Sequence, residues 1–479
     1  MSREEFEFES GGLYPTLHAY LHGLLIIFYF TGICKDIKRH VYNRYKSVVP
    51  SFYHPNNDFH NKFESNSKIN KQAKALKQRI QTNSEKYDEQ FRIGIEIEIC
   101  LVNSQARVVN AQPLIEKLKE TEYQVDYEYG SCQFEFRTPP TNMENIFKLN
   151  ILFEQFIDYI DKTVQKVYKD GKMVYPVFLG ANPSPQILKE ELITNKPRYK
   201  KLAKWQSKIP DVEIDGLKIR ALQIATAIQG FHLHLQGQNP AHTTLMFNHI
   251  LNIIPSAILL GANSRLFAGK IFSFHEPRIY LYDQSEEQNS GFPSISKYLD
   301  SVEDYIDYIT SRKPVIAKDY FELEKERHDD ARIRLNSNFY RIETRVMSVQ
   351  PTPKSLLSMI EYFIGYLYRA INEERQLRPL SVLREERIAV VRSGYNAQSH
   401  FNIIDTIRSQ IDFAKKGLAD LGLKEEFLNI LEKRVENKSN PGDYVAKLWH
   451  EKFNGSLEQT VSEIIAHIWE KTKTNQPII

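Results

Sequence analysis

The sequence predicts an α+β fold built around a mostly antiparallel sheet, and two observations carry that expectation. Four short segments alternate apolar and ionisable residues at the period of two that a strand imposes: Arg92–Ile99, Gln133–Arg137, Phe231–Leu235 and Tyr340–Val346. Helical patterns separate them, yet strands and helices do not follow each other in the regular rhythm of a parallel sheet. Each segment shows one face of Ile, Phe, Leu or Val and one face of carboxylates, imidazoles or guanidinia. Ordinary solvated strand faces are rich in Lys, Thr and Ser, but no Lys stands on any of these four polar faces.

Taken in order, residues 1–50 form an apolar N-terminal segment expected to be helical, followed by a polar linker over 51–89 that includes a helix near Lys68–Arg79. A compact domain is expected over 90–400. It opens with strand Arg92–Val102, helix Pro113–Thr121 and strand Gln124–Phe136. Pro139 and Pro140 break the chain before an amphipathic helix from Met143 to Tyr168. Val174–Gly180 reads as a strand, and Ala241–Phe267 as a long apolar helix interrupted at Pro255. Thr310–Arg332 is charged and reads as loop, leading into the strand Arg341–Val349, and Ser355–Ile371 is helical. Residues 401–479 are charged amphipathic helices whose apolar positions pack on a core.

The 479 residues carry a formal net charge of +3, so nothing in the balance calls for a nucleic-acid partner. Cys34, Cys100 and Cys132 show neither metal-ligand nor disulfide spacing, which fits a reducing, cytoplasmic setting. The run Leu13–Cys34 has the length to cross a bilayer, and a basic run from Lys35 to Lys46 follows it. His18, His22, Pro15 and Gly23 interrupt it, so a helix docked on protein is expected over one that spans or associates with a membrane.

The chemistry lies in the polar faces. Glu96 and Glu98 share a strand face and can bracket a hard cation, which takes oxygen ligands. Glu128 and Glu135 are seven apart, so both point inward only if Gly130 and Ser131 allow a bend. His232 and His234 offer imidazole nitrogens to a metal or to phosphate. Arg341, Glu343 and Arg345 place a carboxylate between two guanidinia, the group best suited to gripping phosphate or carboxylate. Structural readings stand beside these: an ion-pair ladder for the last trio, a satisfied buried pair for the histidines, and plain packing for Cys132.

With the residues placed, a resemblance appears. Gly94-Ile-Glu96-Ile-Glu98, Glu128 followed by Gln133-Phe-Glu135, His232-Leu-His234 and Arg341-Ile-Glu343-Thr-Arg345 resemble, in order, the metal and phosphate strands of the glutamine synthetase superfamily. Within it, Glu135-Phe-Arg-Thr138, Arg198-Tyr199 and Arg392-Ser-Gly394 are similar to elements of the glutamate–cysteine ligase type 2, or carboxylate–amine ligase, family. The segment Arg387–Arg392 departs from that family, and Arg332-Ile-Arg334-Leu stands where it has a Pro-containing loop.

The resemblance implies a glutamine synthetase-like catalytic domain: a curved antiparallel sheet with a concave active site and helices outside. It implies ATP and Mg²⁺ (or Mn²⁺) as cofactors, a small amino acid such as glutamate as the acid, and an amine acceptor. By carry-over, Glu98, Glu128 and Glu135 would hold one metal, and Glu96, His232 and Glu343 a second. His234 and Arg341 would contact nucleotide phosphates, and Arg345 the substrate carboxylate or transferred phosphate. Arg278, Arg198 and Arg392 are lesser candidates for the same anions. A homo-oligomer is expected. Two other classes stay open, a guanidino or amino kinase on the same scaffold and a non-catalytic scaffold.

Overall fold

A computed structural model describes residues 67–82, 91–189, 191–286, 289–335 and 340–479. The expected apolar helix within 13–34 lies outside the described residues. The centre of the described body is an antiparallel sheet of β1 (Arg92–Asn103), β2 (Gln124–Tyr127), β3 (Gln133–Arg137), β4 (Thr141–Asn142), β5 (Val174–Val177), β6 (Gly230–Gly237), β7 (Ala331–Arg334) and β8 (Tyr340–Ser348). The order is β7-β8-β6-β1-β3-β2, with β4 and β5 also pairing with β1, and every ladder in it is antiparallel.

The alternation explains how the sheet sits. Along β1, Ile93, Ile95, Ile97 and Ile99 are buried while Glu96 and Glu98 look to the other side. Phe134 and Phe136 of β3 join the same apolar layer, and Phe136 stacks on Phe156 at 3.9 Å between ring centroids. Phe156 belongs to helix Ile146–Val167, which closes this side of the sheet. Burial of such aromatic pairs contributes beyond area alone, by about 1 kcal/mol each.

Several expectations are corrected by the geometry. Gln124–Phe136 is not one bent strand but a hairpin, with Tyr127 opposite Phe134 and Glu128 at the start of the turn. Gly130 is required there by close approach: a Cβ would lie 2.7 Å from the Thr226 carbonyl oxygen. Thr310–Arg332 is not a loop throughout, because Tyr320–Lys325 is helical and Ala331–Arg334 is the edge strand β7. The apolar run after Ala241 becomes two helices, Pro240–Leu251 and Ile254–Gly261, bent by 58° at Asn252–Ile253, just before the Pro255 that cannot supply a helical N–H. Among the described residues no single helix is long and apolar enough to cross a membrane, and this bent pair is mostly buried core.

The polar helix expected in the linker spans Ser67–Thr82, but Ile69, Ala73, Leu76 and Ile80 are buried in the main core. That spacing puts one apolar stripe against the protein, so this helix is part of the folded body. The helices from Ile403 to Lys473 do the same through residues such as Ile407, Ile411, Val461 and Ile465.

His249 on helix Pro240–Leu251 is 4% exposed, and burial, aided by Arg375, lowers its pKa to about 4. The unfolded chain takes up this proton below about 6.5, the native chain only near 4. Stability carried by the neutral ring is therefore present above about 6.5 and lost as pH falls towards 4, by up to about 3 kcal/mol. His249→Asn is expected to flatten the acid limb of urea stability in that window. An unchanged slope would remove His249 from the account.

Candidate active site

The four alternating segments lie on adjacent strands, and the registers bring their polar faces together. Glu96 pairs with His232 across β1–β6 and with Arg137 across β1–β3, while Glu98 faces Glu135. On the next strand Glu343 pairs with His234, and beyond it Arg332 of β7 pairs with Glu343. Glu96, Glu98, Glu128, Glu135, Arg198, Arg278, His232, His234, Arg341, Glu343 and Arg345 all line one cavity of about 370 Å³. Arg392 does not; it lies in the last turn of helix Leu380–Ser393.

Within the cavity Glu96 is the hub. Its carboxylate lies 3.4 Å from His232 Nδ1 and 3.4 Å from His234 Nε2, and it belongs to two ligand-like clusters, one with Glu135 and His232, the other with His234 and Glu343. Glu98 accepts the Gly230 amide at 2.5 Å and lies 3.7 Å from His232 Nε2. Gly230 leaves room for this: a Cβ there would sit 2.5 Å from the Arg278 guanidinium and 3.0 Å from His232 Nε2.

Two kinds of carboxylate share the cavity. Burial, then Glu135 and Glu98, push the Glu128 carboxyl well above the usual range, and burial with Glu96 raises Glu135 to about 7 against the pull of Arg137. These are acids whose charge lacks a sufficient counterion in the protein. Glu343 is the opposite case. Burial would raise it, but Arg332, Arg345, His234 and Arg334 hold it well below the carboxylate range. Arg332 grips it with two nitrogens at 2.9 and 2.7 Å, Arg345 bonds it at 2.5 Å, and Arg334 lies at 3.6 Å.

A divalent cation fits the first group. His232 Nε2 and His234 Nε2 are buried without a hydrogen-bond partner among the described residues, and the crowded acids need positive charge. Glu343 sits in a ligand-like cluster too, yet guanidinia already neutralise it, so its clearest geometric role is to align Arg332 and Arg345.

The match that decides the family covers residues 92–416, where the chain fits the model of glutamate–cysteine ligase family 2. The chain belongs to that family. No curated protein matches it in sequence. Two solved structures share its fold. One is a bifunctional glutathione synthetase from Pasteurella multocida, at 14% identity and TM-score 0.56, covering 80% of this chain and 52% of that one. The other is a glutamate–cysteine ligase from Francisella tularensis solved with AMP, at 12% identity and TM-score 0.52, covering 81% and 90%. The chain spans about half the length of the bifunctional synthetase.

For a member of glutamate–cysteine ligase family 2, two features of the site escape the motifs. Arg332 and Arg334 were legible as an alternating pattern, Ala331-Arg-Ile-Arg-Leu335, but the charged stretch before them hid the strand. Arg278 directs its guanidinium to the carbonyls of Arg345 and Val346 at 3.2 and 3.3 Å, where β8 shifts register between Thr344 and Met347. It therefore holds the irregularity that aims Arg345, a task no sequence pattern announces. Cys132, inside the second motif, is buried against Asn182 and Thr226, as its packing reading expects.

Proposed function

We propose that this chain is an ATP-dependent carboxylate–amine ligase on a glutamine synthetase-like fold, forming an amide through an acyl phosphate. Family membership supports ligase chemistry with ATP. The single observation that carries the reading is the polarised cavity: the crowded acids Glu128 and Glu135 of the β2–β3 hairpin lie beside Glu96 and Glu98 of β1, and guanidinia on β7 and β8 face them across Glu343. The physical problem of such a reaction is bringing a carboxylate to a polyphosphate. Arg345 and Arg341, held over the sheet by Glu343 and His234, lower that repulsion and grip anionic oxygens. Glu96, Glu98, Glu128, Glu135 and His232 would hold Mg²⁺ or Mn²⁺, with His234 beside them. Bound metal supplies charge compensation for the phosphates.

Glutamate is the acid the family favours, and a small amine the acceptor. The test is a screen of amino-acid pairs with ATP and Mg²⁺, read by ADP release and by mass spectrometry of the conjugate. ADP formation that needs both partners, with a new amide mass, is the expected result. A stable phosphorylated product formed from one substrate alone would replace ligase by kinase.

A further inference from the structure

The cavity has a second end that the metal and phosphate chemistry leaves unused. Helix Pro277–Glu286 lies along one wall, and Arg278, Tyr282 and Glu286, spaced four apart, all line the cavity. Eight residues of helix rise about 12 Å, so the guanidinium near β8 and the carboxylate of Glu286 mark opposite ends of one wall. Glu286 is 4% exposed. Its Oε1 accepts from Gln206 Nε2 at 2.9 Å, and Tyr129 Oη in turn donates to Gln206 Oε1 at 2.6 Å, which fixes the amide's orientation. Its Oε2 receives no hydrogen bond among the described residues; His328 Nδ1 stands 3.6 Å from it, within ion-pair range but too long for a hydrogen bond. The His328 ring lies against Tyr282 at 5.3 Å, and Trp205 and Tyr199 of the helix Pro197–Gln206 add apolar walls.

A buried carboxylate with an unused oxygen, next to apolar rings, is costly unless a cation completes it. Two potential ligands are too few for a metal, and a neutral heterocycle needs no buried anion. We propose that Glu286, backed by Gln206 and walled by Tyr282, binds the ammonium group of an amino-acid substrate. Assigning that substrate to the ligation reaction rests on the proposed function; the subsite itself does not. Arginines at the far end repel an ammonium and attract a carboxylate, so the cavity orients a molecule carrying both. The ammonium can belong to the acid that is activated or to the amine that accepts it.

Calorimetric titration of the full chain with Mg²⁺ and the non-hydrolysable nucleotide AMP-PNP separates these sources. The probes are L-glutamate against glutarate, and L-cysteine against 3-mercaptopropionate, each pair differing by the ammonium-bearing nitrogen. At least one amino acid is expected to bind tenfold or more tightly than its partner. Discrimination in the first pair assigns the subsite to the acid, and in the second to the acceptor. In Glu286→Gln that ratio should fall to near one while AMP-PNP affinity is unchanged, which also shows that the variant is folded. Ratios near one in the unaltered protein, or a ratio that survives Glu286→Gln, overturn the proposal. Because binding is read without turnover, a protein that discriminates through Glu286 yet forms no amide defeats the ligase reading alone.

Discussion

Glu98→Gln is expected to reduce ATP turnover at least about 100-fold, a loss typical of disturbing a metal's ligand environment. The substitution removes a charge and little else. Glu98 accepts the Gly230 amide at 2.5 Å, and a glutamine carbonyl can accept the same bond. The isoleucines that anchor β1 are on the opposite face. The fold therefore remains while the acid cluster around Glu128 and Glu135 loses a member. Turnover and thermal unfolding measured on the same preparation check this. Full turnover in Glu98→Gln would remove β1 from the chemistry, whereas a large drop in Tm would show that the carboxylate is structural.

Glu343→Gln is expected to act on stability first. Arg332 and Arg345 bond Glu343 and Arg334 lies within 3.6 Å, all three with side chains at most 15% exposed. Removing the one anion they share leaves buried guanidinia unpaired, at a cost of about 3–5 kcal/mol. Arg334 keeps Glu324 at 3.6 Å, so the loss falls mainly on Arg332 and Arg345. Urea denaturation measures it directly. The double variant Glu343→Leu with Arg332→Met should recover part of the loss, because it removes the orphaned charge together with its partner. A Glu343→Gln protein within about 1 kcal/mol of the parent would mean the network relaxes onto water.

Much of this site was readable because strands encode it locally. Period-two alternation places Glu96 with Glu98 and His232 with His234 on one face whatever the sheet's order, and the registers then join them. What the sequence hid depends on contacts between distant segments. A bend and a hairpin are equally compatible with Gly130 and Ser131, and only pairing of Tyr127 with Phe134 decides between them. Arg278 was visible as a charge, but its use in holding the irregular turn of β8 needs the Arg345 and Val346 carbonyls in place. The helix Ser67–Thr82 looked polar because its stripe is narrow, only Ile69, Ala73, Leu76 and Ile80 in sixteen residues, yet that stripe suffices to bury it.

The neighbours within the cavity also differ from those that motif order implied. The carry-over paired His232 with Glu343, but geometry clusters His234 with Glu343 and His232 with Glu135, both through Glu96. Across antiparallel β6 and β8 it is His234 that stands opposite Glu343, so register rather than motif decides the neighbours.

In the proposed reaction the donor's carboxylate is phosphorylated before the amine attacks. Oxygen transfer tests it most directly. The chain is supplied with ATP, Mg²⁺, an amine and glutamate labelled with ¹⁸O in its side-chain carboxylate, and the released phosphate is analysed by mass spectrometry. An acyl phosphate leaves one ¹⁸O in each phosphate formed with amide, and that is the expected result. Phosphate free of label, alongside amide product, would contradict it.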